Sequence, residues 1–406
     1  MSTLWQQITA ESADAVYHYG TRRSIPPSET LRSIRPLLGR AGITRLADVT
    51  SLDWIGMPVY QAIQPNSRNL SVSQGKGLTR AQAQVSALME ALESFHGEEI
   101  RQPTIRATVA EMRGRLAYDP YTLQLVHLPG GTTAWERAYD RFWCGDGASA
   151  ALRDDITFEW VAATDLWTGD ATWVPKQLCD LDYSIGERFA PSVFLPSSNG
   201  LASGNTVVEA LIHGLCEVIE RDCMWRRGDN RFDSDRLVRH ETVTSALARG
   251  LIQRFERAGM KTFILDTSGP TGLPCFEATL EHPDAPTGYG GAGCHPSKAT
   301  ALIRALTEAA QSRLTMIAAS RDDIDRPSYD KPSPDRRPLP TEARRSFRAA
   351  PTLPVMTMGA TLREIVSRIR TTTGVAPMAV DLQRPEFDLP VVHVVAPGLH
   401  FDKKEM

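Results

Sequence analysis

Four glutamates stand where a soluble helix would normally carry apolar side chains. In the run Ser-Ala-Leu-Met-Glu-Ala-Leu-Glu-Ser-Phe, Ser86, Glu90 and Glu93 share one helical face while Leu88, Met89, Ala91 and Leu92 fill much of the rest. The same i,i+3 spacing recurs in Ala-Leu-Ile-His-Gly-Leu-Cys-Glu-Val-Ile-Glu-Arg-Asp-Cys-Met-Trp. There Glu217 and Glu220, with His213 and Arg221, interrupt a helix that is otherwise apolar nearly all round. One such pair is ordinarily a solvated face and carries no inference. Two pairs in helices that read as buried do carry one, because a carboxylate withdrawn from water needs a cation or hydrogen bonds, or else takes up a proton. Magnesium accepts oxygen ligands in octahedral geometry and shares them with phosphates. Four carboxylates on two helices therefore suit a nucleotide with more than one ion better than a bare metal cage.

A third helical run adds the opposite charge. Arg304, Glu308 and Gln311 recur at i, i+4 and i+7 with Arg313 nearby, and an arginine fork neutralises phosphate charge. Ahead of the first helix lies Ser73-Gln74-Gly75-Lys76-Gly77, read as a loop whose backbone N–H groups and lysine could meet an anion. It lacks the G-x-x-x-x-G-K-[ST] pattern, and a plain turn is the better explanation. His213 reads more simply as a packed, hydrogen-bonded histidine than as a base. The six cysteines, Cys144, Cys179, Cys216, Cys223, Cys275 and Cys294, form no C-x-x-C pair and read as reduced thiols. Cys294 precedes His295, but no second pair completes a metal site.

These residues need elements to position them. Helices are expected over 79–95, 206–225 and 296–319, the last capped by Ser297, with a shorter one over 28–41 and another near 360–372. Strands are expected over 60–72, 160–163, 173–178, 261–266, 275–280, 378–381 and 391–395, and a glycine turn over 288–293. Residues 327–340 hold five prolines among charges and read as an exposed loop. Strands mixed with long helices predict an α/β fold. With 406 residues, 42% hydrophobic and 23% charged, the chain is a folded globular protein. A net charge of -3 gives no reason to expect nucleic acid or an anionic membrane as partner. The opening segment does not read as a signal peptide and no apolar run would span a bilayer, so a cytoplasmic location is expected.

Three long blocks resemble the signature regions of the YcaO family: SQGKGLTRAQAQVSALMEALESFHGE, SSNGLASGNTVVEALIHGLCEVIERD and GAGCHPSKATALIRALTEAAQSR. So do SRDD (320–323), WVP (173–175) and VVHVVAPGL (391–399). The resemblance covers about 66–399 in the right order. It implies a YcaO-type fold with mixed sheets and helices around a nucleotide site, in which 1–60 is an N-terminal segment contributing to the fold and 61–406 is the YcaO domain. By the same resemblance Glu90, Glu93, Glu217 and Glu220 match magnesium ligands. Ser86, Glu93, Asn205, Glu209, Arg221, Arg304 and Glu308 match nucleotide contacts, as do Arg23 and Thr30 in the less similar preface.

Members of this family use ATP and Mg2+ to phosphorylate the oxygen of a peptide amide as a nucleophile attacks its carbon, which turns a poor leaving group into a good one. Catalysis is then mainly positioning and charge neutralisation. No protein nucleophile is evident, and the general base is unassigned, with His213 or a chain-terminal group as candidates. The resemblance implies a precursor peptide substrate, a TfuA-like or ThiF-like partner protein and a homodimer. Azoline-forming members typically end in P-x-P-x-P, whereas this sequence ends Pro-Gly-Leu-His-Phe-Asp-Lys-Lys-Glu-Met, which points to thioamide formation with sulfide. Two alternatives stand beside it: azoline-forming cyclodehydration at Cys, Ser or Thr, and a non-catalytic peptide-binding module. The second predicts an eroded nucleotide site, and the matching acids and arginines are all present.

Overall fold

The structure, a computed structural model, describes residues 3–10, 16–125, 151–184, 192–228, 233–283, 285, 288–324 and 342–401. The chain divides into two compact units. The first comprises Met1–Ser12, Glu93–Val218 and Leu362–Met406, and the second Ala13–Leu92 and Ile219–Thr361. Three helices carry the chemistry-bearing runs: α1 (Arg80–Gly97), α2 (Val207–Arg227) and α3 (Lys298–Ala318). The first part of α1 belongs to the second unit and its end to the first, α2 runs the other way, and α3 lies wholly in the second unit.

The second unit contains two three-stranded antiparallel sheets, one of Arg45–Asp48, Val59–Ile63 and Val72–Lys76, the other of Lys261–Asp266, Cys275–Glu281 and Tyr289–Cys294. The run expected as one strand over 60–72 is thus two strands of a hairpin. Ser73–Lys76, read as a loop, is strand, and so is the expected glycine turn at 288–293. The reason is steric. A methyl on Gly75 would lie 1.9 Å from the Ala87 nitrogen and 2.4 Å from the Ala83 carbonyl oxygen. One on Gly291 would lie 2.2 Å from the Ala309 nitrogen, and one on Gly293 2.2 Å from the Ala301 carbonyl oxygen. These glycines are not turn formers. They remove the side chain so that a helix lined with alanine can lie against the strand. Phe255, Phe276, Phe347, Leu302 and Leu306 fill the core, with the Phe276 and Phe347 rings stacked at 5.5 Å.

The first unit is built on a six-stranded antiparallel sheet in the order Thr104–Thr108, Thr157–Asp165, Met378–Asp381, Val391–Val395, Leu201–Ser203, with Ala171–Pro175 also paired to Thr157–Asp165. Phe158, Trp160 and Phe194 are fully buried, and the Trp160 indole donates to the Ala107 carbonyl at 2.9 Å. Gly200, at φ +89°, could carry no side chain, since its Cβ would lie 2.3 Å from the Val394 carbonyl oxygen. On α2, a Cβ at Gly214 would lie 2.8 Å from the Gly200 carbonyl oxygen.

The helices over 207–227, 298–318 and 358–373 and the strands over 261–266, 378–381 and 391–395 appear where the sequence predicts them. The shorter helix predicted over 28–41 is curtailed to Pro27–Ile34 followed by a single 3-10 turn. The proline-rich run at 327–340 lies outside the described residues. The five described cysteines form no disulfide among the described residues, and Cys144 lies outside them. No helix of the described residues is long and apolar enough to cross a membrane.

Candidate functional site

In the second unit the sequence-predicted residues gather into a cluster of mixed charge. Glu90, on α1, is half-buried, and loss of solvent pushes its pKa up, opposed by Arg321, by Lys76 and by a hydrogen bond from the Gln74 backbone N–H. Glu220, on α2, accepts from the Cys294 backbone N–H at 2.7 Å. Burial and then the charge of Glu308 raise its pKa to about 7, against the pull of Arg304 and Arg221. Glu308, on α3, bonds the Lys76 ammonium at 2.6 Å, with the two side chains only 23% and 27% exposed. Burial works against its charge as well, yet Lys76, Arg221 and Arg304 more than offset that and hold its pKa below the usual range. Neighbouring carboxylates are therefore pushed apart in proton affinity, one toward neutrality and one firmly ionised.

A basic patch adjoins this cluster. Burial and the charges of Arg304, Arg23 and Arg22 drive the His295 imidazole down to about 3, and its Nδ1 accepts from the Ser297 backbone N–H at 3.0 Å. Arg23, the match from the poorly similar preface, thus belongs with Arg304. Thr30 is buried in the helix Pro27–Ile34 with its hydroxyl 3.5 Å from the Pro26 carbonyl, and Ser86 is half-buried on α1. Arg313 serves the fold instead of the cluster. It is buried, bonds Asp53 at 3.1 Å, and lies over the rings of Trp54 and Tyr289.

The first unit holds the other matched residues, arranged differently. The Glu93 carboxylate accepts both the backbone N–H of Ser203 at 2.7 Å and its hydroxyl at 2.5 Å. Glu209 is buried near the start of α2, where the Thr206 hydroxyl accepts its backbone N–H at 3.2 Å, and the Asn205 amide donates to its two oxygens at 3.0 and 3.1 Å. Glu217 and His213 are half-buried on the same helix. Glu93 and Glu209 each accept from neutral donors, and lysine and arginine act on Glu90, Glu220 and Glu308.

Sequence reasoning passed over Ser203, Arg22, His295 and Arg321. Ser203 and Arg321 lay inside the runs that carry the resemblance, the latter in SRDD. There Arg321 pairs with Asp323 at 2.6 Å, and Asp322 accepts from the Ser71 backbone N–H at 2.7 Å. No spacing could have flagged Arg22.

The donor set is oxygen-rich and hard. Buried carboxylates whose pKa values are pushed up are groups in need of a cation, which fits a divalent ion such as magnesium. Among the described residues, no three His, Cys, Asp or Glu side chains form a ready-made metal cage. An ion that keeps several waters and shares phosphate oxygens needs only one or two protein carboxylates.

A family model described as YcaO cyclodehydratase, ATP- and Mg2+-binding, matches residues 74–400. A protein of Rhizobium leguminosarum bv. trifolii, known as an uncharacterized protein in the tfuA 3′ region, is 35% identical over 401 residues, covering 94% of this chain and 89% of its own length. Among solved structures, a heterocyclase in complex with substrate and cofactor superposes with a TM-score of 0.75 at 21% identity. The match covers 96% of this chain but only 54% of the heterocyclase, so this chain spans about half its length. The YcaO protein of Methanopyrus kandleri bound with AMPPCP and Mg2+ superposes with a TM-score of 0.69 at 24% identity, covering 95% of this chain and 94% of that one.

Proposed function

This chain belongs to the YcaO family, and we propose that it uses ATP and magnesium to activate a backbone amide of a ribosomally made precursor peptide, forming a thioamide with a sulfide donor and a TfuA-like partner. Sulfide adds to the amide carbon, the amide oxygen takes the terminal phosphoryl group of ATP, and the C–O bond breaks as phosphate leaves. Oxygen is exchanged for sulfur without oxidation or reduction. The observation that carries ATP-dependent chemistry is the cluster in the second unit, where Glu220 is buried and Glu90 half-buried, both with raised pKa values, beside Lys76, Arg221 and Arg304.

Each residue has a role in this reading. Glu90, Glu93, Glu217 and Glu220 hold magnesium, which when bound draws charge from the phosphates and aligns them. Arg304, Arg221 and Arg23 meet phosphate oxygens, and the low pKa of His295 keeps that imidazole from adding a proton to the already basic patch. Asn205, Glu209 and Ser86 contact the nucleotide, with Asn205 oriented by its bonds to Glu209. Thr30 joins them from the preface, which puts 1–60 within the fold that 61–406 carries. Lys76 keeps Glu308 ionised beside Arg221 and Arg304, so those cations are held in place before any ligand arrives. The protein works as a cytoplasmic homodimer.

Support for thioamide formation over azoline formation comes from the Rhizobium relative, whose gene lies beside tfuA and which aligns over 94% of this chain. The test is co-expression with a precursor peptide, a TfuA-like protein and a sulfide source, followed by mass spectrometry of the peptide. A mass gain equal to sulfur minus oxygen supports the reading. Loss of one water without sulfur gain replaces it by cyclodehydration.

A further inference from the structure

The first unit contains a small cavity, of about 50 Å³, whose walls combine leucine and valine side chains with four polar residues, Gln124, Ser197, Asn199 and His393. Three of these present one buried atom each, Gln124 Oε1, Asn199 Oδ1 and His393 Nδ1, that has no hydrogen-bond partner among the described residues. All three are acceptors. Burial pushes the His393 pKa down to about 4, overriding a hydrogen bond to the Asn199 backbone that favours the cation. The ring is therefore neutral, and its unprotonated nitrogen accepts. Three buried acceptor atoms around one space, each without a partner, are costly, so an occupant that donates is favoured.

Rigid backbone holds the three in place. His393 lies on the strand Val391–Val395 opposite Leu201, and the Gly200 carbonyl accepts from the Val394 N–H at 2.8 Å. The Asn199 N–H donates to the Ser197 hydroxyl at 3.0 Å. The glycine at 200 makes this approach possible, as its would-be Cβ shows. One wall is Val218, the residue directly after Glu217 on α2.

The lining selects the ligand. Among the described residues no lysine, arginine, aspartate or glutamate lines the cavity, so no charge there favours an anion. The apolar walls disfavour a bare cation as well. A space of this size, against about 30 Å³ for a water in the liquid, admits one to a few heavy atoms. We propose that this cavity binds a small uncharged hydrogen-bond donor, and that hydrogen sulfide in its neutral form is the molecule it receives. The identity of the ligand rests on the thioamide reading given under Proposed function; the acceptor-lined cavity does not.

The test follows the His393 ring by NMR in the full-length, histidine-labelled protein, titrated with sodium sulfide and separately with ammonium chloride. Sulfide should give a saturable shift at His393, and the affinity expressed in total sulfide should fall as rising pH deprotonates the gas. Asn199→Leu, which removes one acceptor, should weaken that response about threefold to tenfold. Ala396→Leu, which fills the cavity, should abolish it while leaving ATP affinity unchanged. Leu195→Phe serves as a second filling variant should the first fail to fold. A sulfide titration no different from salt alone means that water fills the cavity and overturns the proposal, as does a response that survives filling or one produced by ammonium and not by sulfide. If the filled variants make thioamide at an unchanged sulfide requirement, the cavity assignment falls and the thioamide reading stands. If the peptide loses water instead, the thioamide reading falls and with it the choice of sulfide as ligand.

Discussion

The two units solve the same problem, a carboxylate placed out of water, in opposite ways. In the second unit Glu90, Glu220 and Glu308 sit among Lys76, Arg221, Arg304 and Arg321, and their proton affinities are pulled up or down by those neighbours. In the first, Glu93 and Glu209 accept from a backbone N–H, a hydroxyl and an amide, donors that orient a carboxylate. Opposite charges store a field that responds to protons, salt and bound ions. Neutral donors store a direction. The difference teaches that a pair of glutamates on one helix can have unequal tasks, since Glu90 and Glu93 are three residues apart and fall on different sides of this divide.

The largest effect that could break this comparison is on turnover. Glu90→Ala, Glu93→Ala, Glu217→Ala and Glu220→Ala should each lower ATP consumption on the order of 10²–10³-fold or more with the fold retained, the scale set by loss of a positioned charge-stabilising group. ATP hydrolysis and circular dichroism check it, and normal turnover in any two removes the shared assignment.

Arg304→Ala tests the charged region alone. It should weaken ATP binding about tenfold to a hundredfold, the range for a lost hydrogen bond to a charged group, and let the His295 pKa rise toward the ordinary value. Calorimetry and a histidine NMR titration read the two effects, and unchanged ATP affinity removes Arg304 from the site.

Stability should separate the units by sign. In protein freed of nucleotide and metal at neutral pH, Glu220→Gln should raise the melting temperature, because it deletes a buried charge that burial and Glu308 disfavour. Glu93→Gln should lower it, by about 1 kcal/mol, as a charge-assisted bond becomes a neutral one. Equal shifts of the same sign would dissolve the distinction.

The smallest effect concerns two histidines. A histidine whose folded pKa is depressed favours unfolding below its unfolded value, so His393 withdraws stability as pH falls from about 6.5 toward about 4, and His393→Phe should flatten that slope. His295 is depressed by arginines as well as by burial, His393 by burial. Added salt should therefore raise the His295 pKa and leave that of His393 in place, as read by NMR.

How much of this was legible depended on the range of the interaction. Helices α1 to α3 announce themselves because their periodicity is local, and the odd acids within them stand out against apolar neighbours. Val391–Val395 likewise reads as a strand from its own residues. Arg313 was misplaced because Asp53, its partner, is 260 residues away, and nothing in the helix shows that its charge is already spent. Lys76 bonds Glu308 across 232 residues, so its loop-like setting in Ser-Gln-Gly-Lys-Gly concealed a strand. His295 reads in the sequence as half of an incomplete metal pair, whereas its setting is made by burial, by Arg304 on α3 and by Arg23 and Arg22, more than 270 residues away in the chain.

The glycines against α1 and α3 have a mechanical consequence. With no side chain at Gly75, Gly291 or Gly293, the gap between strand and helix is set by two backbones in contact, the least compressible spacer a protein has. A strand of that kind works as a gauge block. Adding one methyl at Gly293, where 2.2 Å is available, would lift the helix at Ala301 by more than an ångström, and Arg304 rides on the next turn. The reach of a guanidinium toward a phosphate oxygen is thus fixed by an atom that is not there. Gly293→Ala should mis-set the charge of the site without replacing a single charged residue.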